Sequence, residues 1–239
     1  MPTFRTFFHG RMSGLEVTCL KSFLDHGHRV IVFAYDDTEI PALFEKANAA
    51  TVLPRERVFF YKDGPGRGSV AAFANLFRYL LLRRYGDWWT DTDVLCLKER
   101  WPEDDCVMAW ESSEWIGNAV LKLPPHIAEI CRGRCEALGE DFEWGEAGPR
   151  LVTGVFREKG MTGRALPASS FYPVYYPDCL QAMDPSALLA TERRCVGAFG
   201  FHLWHEALWR RAFDKRSLPP AGSFFDRAVR THGTESYFR

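Results

Sequence analysis

Two aspartates separated by one residue, Asp91 and Asp93, are the side chains of this sequence best suited to chemistry. They follow an aromatic pair, Trp88-Trp89, which comes shortly after an apolar stretch with helical spacing. In an extended backbone, residues i and i+2 point to the same side, so the two carboxylates would converge on one point. Converging carboxylates repel one another unless a cation lies between them, and oxygen ligands suit Mg²⁺ or Mn²⁺. The spacing therefore predicts a divalent-metal site that holds a phosphorylated substrate.

A helix must position this motif, and the residues from Val70 to Tyr85 have the expected apolar periodicity. Ser69 before them and Gly86 after them are typical of a helix start and a helix stop. Asn75 and Arg78 are three residues apart, so they lie on neighbouring positions of the same helix face. Because a guanidinium group is a planar donor fork for phosphate or sugar oxygens, we expect this face to serve the same site.

The composition is that of an ordinary globular chain. Its 239 residues fit one domain, and a net charge of -1 argues against a nucleic-acid groove. No apolar run reaches 18 residues, so no transmembrane helix is predicted, and the first residues do not resemble a signal peptide. Seven cysteines, an odd count scattered through apolar segments, indicate buried free thiols in a reducing compartment. We therefore expect a cytoplasmic protein.

The pattern of elements predicts an α/β fold. A strand at 4–9, a helix at 15–26 and a continuous β-branched run at 30–35 form a βαβ unit, which requires parallel strands. The expected architecture is a Rossmann-like mixed sheet flanked by helices. The remaining predicted helices are 41–49, 70–85, 125–138 and a short one from 148; the remaining strands are 57–61, 94–97, 107–110, 117–123, 171–176 and 198–204.

The helix and the aspartate motif together also match a known signature. The segments Ala74-Asn75-Leu76-Phe77-Arg78-Tyr79 and Tyr85-Gly86-Asp87-Trp88-Trp89-Thr90-Asp91-Thr92-Asp93-Val94 resemble the core of DXD-containing glycosyltransferases. The group most similar includes yeast mannosyltransferases, α1,4-galactosyltransferases and bacterial capsule or lipopolysaccharide sugar transferases, a glycosyltransferase family 32-like set. Outside residues 70–97 the resemblance is patchier, and it rests on His9-Gly10, Asn118, Gly148-Pro149, the segment His202-Leu203-Trp204-His205, and Trp209.

This resemblance implies a single GT-A domain over residues 1–239. Residues 1–97 would be the nucleotide-sugar-binding half, which ends in the DXD motif, and residues 98–239 the acceptor-side half with the C-terminal tail. The implied reaction moves a sugar from a UDP- or GDP-sugar donor to a glycan or glycolipid acceptor. It would depend on Mn²⁺ or Mg²⁺ and proceed with retention, plausibly in surface polysaccharide synthesis. Peripheral association with a membrane is compatible with such acceptors.

The resemblance also implies a role for individual residues. Asp93 would ligate the metal directly, and Asp91 would contact the donor or reach the metal through water. His202 would lie by the metal and Trp204 by the leaving group, while Arg78 would bind the sugar or diphosphate. Nucleotide-sugar contacts are further expected from His9, Asn75 and Asn118. The sequence departs from the family at three positions, where Asn75 replaces Asp, Asp87 replaces a second Gly, and Leu208 stands where Ser is common.

The residues alone leave several alternatives open. Glu111, Glu114 and Glu146 are candidates for a general base or nucleophile, and the sequence does not choose among them. A phosphatase of the haloacid dehalogenase type also uses an Asp-x-Asp motif, with the first Asp as nucleophile. An inactive nucleotide-sugar-binding relative is the third reading. Metal-dependent nucleotide binding would separate the phosphatase from the other two, and turnover would separate those two from each other.

Overall fold

The computed structural model describes all residues from 1 to 239. The strands are β1 (Thr3–Phe7), β2 (Arg29–Ala34), β3 (Glu45–Asn48), β4 (Trp88–Thr90), β5 (Val94–Cys96), β6 (Val120–Lys122) and β7 (Gly200–His202). The helices are α1 (Gly14–Asp25), α2 (Ala71–Tyr85), α3 (Pro125–Ala137), α4 (Leu151–Glu158), α5 (Leu188–Cys195), α6 (His205–Arg210) and α7 (Phe224–Thr231).

Five strands form the main sheet in the order β3-β2-β1-β4-β6, and only β6 runs antiparallel. The predicted βαβ unit is confirmed, since β1 and β2 pair in parallel from Thr3 opposite Arg29 to Phe7 opposite Phe33. A second, two-stranded sheet joins β5 to β7 in antiparallel register, with Val94 opposite His202. The fold is therefore the predicted mixed α/β class, with a mostly parallel sheet.

Helices cover both faces of the main sheet. Along β2, Ile31 and Phe33 belong to one buried cluster with α2 and α3, whereas Val30 and Val32 belong to another with α1. Successive side chains of a strand point to opposite faces, so a continuous apolar run is what a doubly covered strand needs. Because both faces of β2 are covered, the run from Val30 to Tyr35 does not alternate between apolar and polar residues.

The helix that leads to the aspartates forms nearly where it was predicted. It begins at Ala71, and the Ser69 hydroxyl accepts a hydrogen bond from the Ala71 amide at 3.3 Å. It ends at Gly86, which adopts φ +64°, a left-handed conformation that glycine enters without steric cost. The chain then turns directly into β4, which places the motif at the carboxyl end of a central strand.

Four predicted elements are wrong. Residues 41–49 are not a helix, because their last part pairs with β2 as the edge strand β3, and sheet pairing outweighs the helical pattern. Residues 57–61 form no strand but follow a short 3₁₀ turn, Arg55–Arg57. Residues 107–110 make only isolated bridges, and 171–176 lie between two 3₁₀ segments. Phe171, Tyr172 and Val174 are nevertheless buried. Their apolar run therefore indicated burial correctly but not a strand conformation.

Six of the seven cysteines are buried and none is paired in a disulfide. In this fold, no helix combines the length and the apolar character that crossing a bilayer requires.

Candidate functional site

The two aspartates lie in a tight turn between β4 and β5. The Val94 amide donates to the Asp91 carbonyl oxygen at 3.4 Å, so the motif is not in the extended conformation expected from its spacing. The carboxylates converge all the same, and one ligand atom each from Asp91, Asp93 and His202 lie within 4.8 Å of one another. His202 reaches this point because β7 pairs with β5. The turn and the small sheet together build a three-residue candidate metal centre.

Asp93 is the more enclosed carboxylate of the pair. Its Oδ2 accepts a hydrogen bond from the His205 backbone amide at 2.8 Å and lies 3.3 Å from His202 Nε2. Burial alone would raise the pKa of Asp93, but the neighbouring His202 and His205 hold that pKa well below its ordinary value. Burial correspondingly lowers the pKa of His202, yet the Asp93 carboxylate outweighs it and raises that pKa. The two side chains therefore form an ion pair at this point of the fold.

Asp91 is held by two donors on one oxygen. Its Oδ1 accepts from Arg78 Nη2 at 2.7 Å and from Trp89 Nε1 at 2.7 Å. Arg78 is only 3% exposed, and its guanidinium carbon lies 4.8 Å from the centre of the Trp89 ring. The buried guanidinium thus offsets the charge of Asp91 and leaves Oδ2 without a protein donor.

Asn75 and Asn118 hold the other side of Arg78. The Asn75 Oδ1 accepts from Arg78 Nη1 at 2.7 Å and from Asn118 Nδ2 at 2.9 Å, which occupies both of its lone pairs. Its Nδ2 donates to the Tyr61 hydroxyl at 3.3 Å. Gly148 lies against Asn118, where a Cβ would come within 2.7 Å of Nδ2. These contacts give both amides a positioning function; their predicted contacts with a nucleotide-sugar stay predictions.

Trp204 adopts a backbone conformation that bulky residues rarely enter. Its φ is +57° and ψ is +51°, a left-handed geometry whose cost is about 1–3 kcal/mol. The indole Nε1 donates to the Val174 carbonyl at 2.8 Å, and the ring centre lies 4.2 Å from that of His202. This packing offsets the strain and fixes the orientation of the His202 ring.

All these side chains face one cavity of about 670 Å³, within the range of small-molecule sites. The residues predicted to bind the metal and the nucleotide-sugar all line it: His9, Asn75, Arg78, Asp91, Asp93, Asn118, His202 and Trp204. One part of its wall comes from residues just after β1 and just before α2, including Phe8, Ser69 and Val70. Another part comes from Trp115, Tyr175 and Tyr176. The turn that carries Asp91 and Asp93 also lines this cavity.

Of the three glutamates left open by the sequence, only Glu111 lines the cavity. Glu114 is exposed, and the Glu146 carboxylate accepts from the Glu143 amide at 2.9 Å within its own turn. Burial raises the pKa of Glu111 to about 7, the positive charge of His202 opposes this, and Asp91 adds to it. Of the three candidates, the structure therefore leaves only Glu111 with a free carboxyl group in the cavity.

Glu111 should make folding stability depend on pH. An acid whose pKa is raised by folding stabilises the protein while it is protonated, and that contribution is lost as the pH rises from about 4.5 to 7. Glu111→Gln removes this titrating group. The free energy of unfolding of the variant, minus that of the parent, should therefore increase from pH 5 to pH 8 by up to about 3 kcal/mol. Urea unfolding at both pH values measures this; an unchanged difference would contradict it.

Several residues of the site were not predicted. Trp89 belongs to the motif, but its indole contact with Asp91 could not be foreseen. Lys215, in the polar tail, forms an ion pair with the buried Glu16 at the start of α1, and both line the cavity. No local signal links two residues so far apart in the sequence. Trp209, compared above with the family motif, is 63% exposed and outside the cavity, and Leu208 is buried in the core.

Gly117 leaves room for the Tyr172 ring to pack beside His202. A Cβ at this position would overlap the ring of Tyr172, which is buried with its centre 5.7 Å from that of His202. Gly117→Ala should therefore displace Tyr172 and lower stability by about 1–3 kcal/mol. Gly133→Ala is the matched control, because helix α3 leaves open space there and alanine should stabilise it by up to about 1 kcal/mol. Thermal unfolding of both variants tests this; equal shifts would contradict it.

Comparison with known proteins gives no family assignment. No family model matches this sequence, and no curated protein matches it. Among solved structures, the chain is similar to one described as "PaToxG Glycosyltransferase", with a TM-score of 0.46 and 10% sequence identity. The match covers 97% of this chain and 84% of that one. Similarity this distant does not assign a function, which has to follow from the residues of the cavity.

Proposed function

We propose that this protein is a metal-dependent glycosyltransferase of the GT-A type, which transfers a sugar from a UDP- or GDP-sugar to a glycan or glycolipid acceptor. The observation that carries the proposal is the convergence of Asp91, Asp93 and His202 in a cavity of about 670 Å³. Two carboxylates and an imidazole at this distance are a metal-ligand set, and diphosphates are the usual partners of such metals. We further propose that the sugar is transferred with retention of configuration and that the reaction belongs to surface polysaccharide synthesis. Both proposals rest only on the resemblance of residues 74–94.

The donor set fits a divalent cation. Asp91 Oδ2 has no protein donor, and a cation that binds here would displace the proton between Asp93 Oδ2 and His202 Nε2, which lie 3.3 Å apart. The imidazole favours Mn²⁺ over Mg²⁺, because Mg²⁺ takes oxygen ligands in a strict octahedron. When bound, such an ion supplies the Lewis-acid charge that a departing diphosphate needs.

The remaining residues have roles that this arrangement supports. Arg78 keeps Asp91 in place and is itself fixed by Asn75, so the carboxylate enters the reaction without reorganising. Trp204 holds His202 in orientation. Lys215 lines the same cavity, but its ion pair with Glu16 offsets its charge. His9, just after β1, has a buried Nδ1 with no partner and is our proposed contact for the nucleotide.

A phosphatase has less support. There the first aspartate attacks phosphorus as a nucleophile, but Asp91 has one oxygen bound by both a guanidinium and an indole N–H. Those donors stabilise the carboxylate and make it a poorer nucleophile. An inactive relative would share the same cavity and would bind nucleotide without turnover.

The direct test is calorimetry with UDP and GDP, with Mn²⁺ and after treatment with EDTA. We expect one nucleotide to bind at least about tenfold more tightly with Mn²⁺, since the ion neutralises charge that the cavity itself cannot. Release of free sugar from the matching nucleotide-sugar then shows turnover. Equal affinity with and without the metal would contradict the proposal, and release of inorganic phosphate from a phosphomonoester would favour the phosphatase.

A further inference from the structure

A cluster of aromatic rings on the cavity wall has no role in the metal centre. The ring centres of Tyr175 and Tyr176 are 4.9 Å apart, and they lie 5.9 and 6.2 Å from that of Trp204. Tyr175 is 37% exposed and Tyr176 42%, although both residues line the cavity. Exposed aromatic groups that cluster in a concave site indicate a surface kept open for a ligand.

The cluster is fixed in place before any ligand arrives. Trp204 is anchored by its hydrogen bond to the Val174 carbonyl. Tyr176 begins a 3₁₀ segment that ends at Met183, and Cys179 and Met183 within it are buried in the core. A rigid aromatic surface binds a flat partner at little cost in conformational entropy.

A free carboxyl group lines the same cavity as these rings. Glu111 is partly buried, lines the same cavity, and its carboxyl group receives no hydrogen bond from the protein. Tyr175 lines that cavity too, so a ligand that contacts its ring lies in the cavity that Glu111 faces. A carboxyl group that faces a cavity without a protein donor can accept hydrogen bonds from a ligand with two adjacent hydroxyl groups.

The cluster also continues to the metal centre. Trp204 contacts the His202 ring, whose centre is 4.2 Å away, and His202 pairs with Asp93. A molecule stacked on Tyr175 and Tyr176 therefore lies next to the place where a donor diphosphate would be held.

From this juxtaposition we propose that Tyr175, Tyr176, Trp204 and Glu111 form an acceptor subsite for a neutral pyranose. The inference rests on the proposed function and specifies its acceptor as a carbohydrate bound at this wall. A pyranose has one apolar face for the rings and a rim of hydroxyl groups for the carboxylate. An aliphatic chain fits less well, because it would cover Glu111 without bonding it.

The test uses the full chain and measures sugar binding separately from nucleotide binding. The probes are methyl glucoside, galactoside and mannoside and their disaccharides, followed by saturation-transfer NMR with Mg²⁺ in place of paramagnetic Mn²⁺. The variants are Tyr176→Ala, Tyr176→Phe and Glu111→Gln. Tyr237→Ala is the matched control, since Tyr237 is 41% exposed and outside the cavity.

We expect at least one of these sugars to bind the parent protein. Tyr176→Ala should weaken that binding at least tenfold, Tyr176→Phe less than threefold because the ring remains, and Glu111→Gln by an intermediate factor. Acceptor KM in a transfer assay should follow the same order. Equal sugar affinity in Tyr176→Ala and Tyr237→Ala would overturn the inference.

Nucleotide calorimetry on the same samples keeps the two proposals apart. If Mn²⁺-dependent nucleotide binding is intact but none of these sugars binds the parent, the acceptor subsite is wrong and the transferase is not. Transfer to a peptide or a lipid under those conditions would identify the other acceptor class. If sugars bind through Tyr176 but nucleotides do not bind, the site binds carbohydrate, and both the transferase and the acceptor role of the site are wrong.

Discussion

Asp93→Asn should lower the affinity for Mn²⁺ by more than about 100-fold and remove metal-dependent nucleotide binding. Residues that only support a metal ligand cost about 10–100-fold when changed, and Asp93 is proposed as a ligand itself. Asparagine retains the shape and a carbonyl oxygen but loses the charge on which binding of a hard cation depends. Mn²⁺ titration followed by electron paramagnetic resonance measures the ion directly, without relying on turnover.

Asparagine is a better choice than alanine because of what surrounds Asp93. The carboxylate accepts from the His205 amide and pairs with His202, so alanine would leave a buried donor and a buried imidazole without partners. The control is Asp105→Asn, since that carboxylate is 79% exposed and outside the cavity. Mn²⁺ affinity in the Asp93 variant equal to that of the control would exclude Asp93 as a ligand and remove the main support for the transferase.

Asp91→Ala should destabilise the protein more than Arg78→Met, although both break the same ion pair. Removal of Asp91 leaves a guanidinium group whose side chain is 4% exposed, and an uncompensated buried charge costs about 3–5 kcal/mol. Removal of Arg78 leaves a carboxylate that is 27% exposed and still bonded to the Trp89 indole. That carboxylate keeps part of its hydration, so the penalty should be smaller.

Urea unfolding of both single variants and of the double variant measures this difference. The double variant should be more stable than the sum of the single effects predicts, because no charge is then left alone. Glu45→Ala is the control for an exposed pair: Arg29 and Glu45 are 58% and 47% exposed, and breaking that pair should cost at most about 1 kcal/mol. If the two single effects on the free energy of unfolding simply add, or if Arg78→Met costs more than Asp91→Ala, then Arg78 is not a buried charge that depends on Asp91.

The sequence predicted those parts of the site that depend on neighbours along the chain. Helix α2 was predicted from its apolar stripe, and its end from Gly86, because both signals act within a few residues. The convergence of Asp91 and Asp93 was predicted for the wrong reason, since a turn and not an extended strand brings them together. Edge strand β3 was predicted as part of a helix, because its pairing partner lies elsewhere in the sequence.

Contacts between distant segments could not be predicted from the residues alone. The placement of His202 beside Asp93 came from the resemblance, and its physical cause is the pairing of β5 with β7. Tyr175 and Tyr176 were assigned to a strand, and nothing local indicated that they face a cavity. Lys215 meets Glu16 only because the tail packs back onto α1, a contact that depends on the finished fold.

The order of synthesis follows from the same long-range pairing. His202 lies in β7, far beyond β6 in the sequence, so a ribosome completes the whole main sheet before the segment that finishes the candidate metal centre emerges. A nascent chain would already hold the Arg78–Asp91 pair while it still lacked His202. Under the proposed function, competence to bind a nucleotide would arrive late in translation, and ribosome-stalled chains of increasing length would show when it begins.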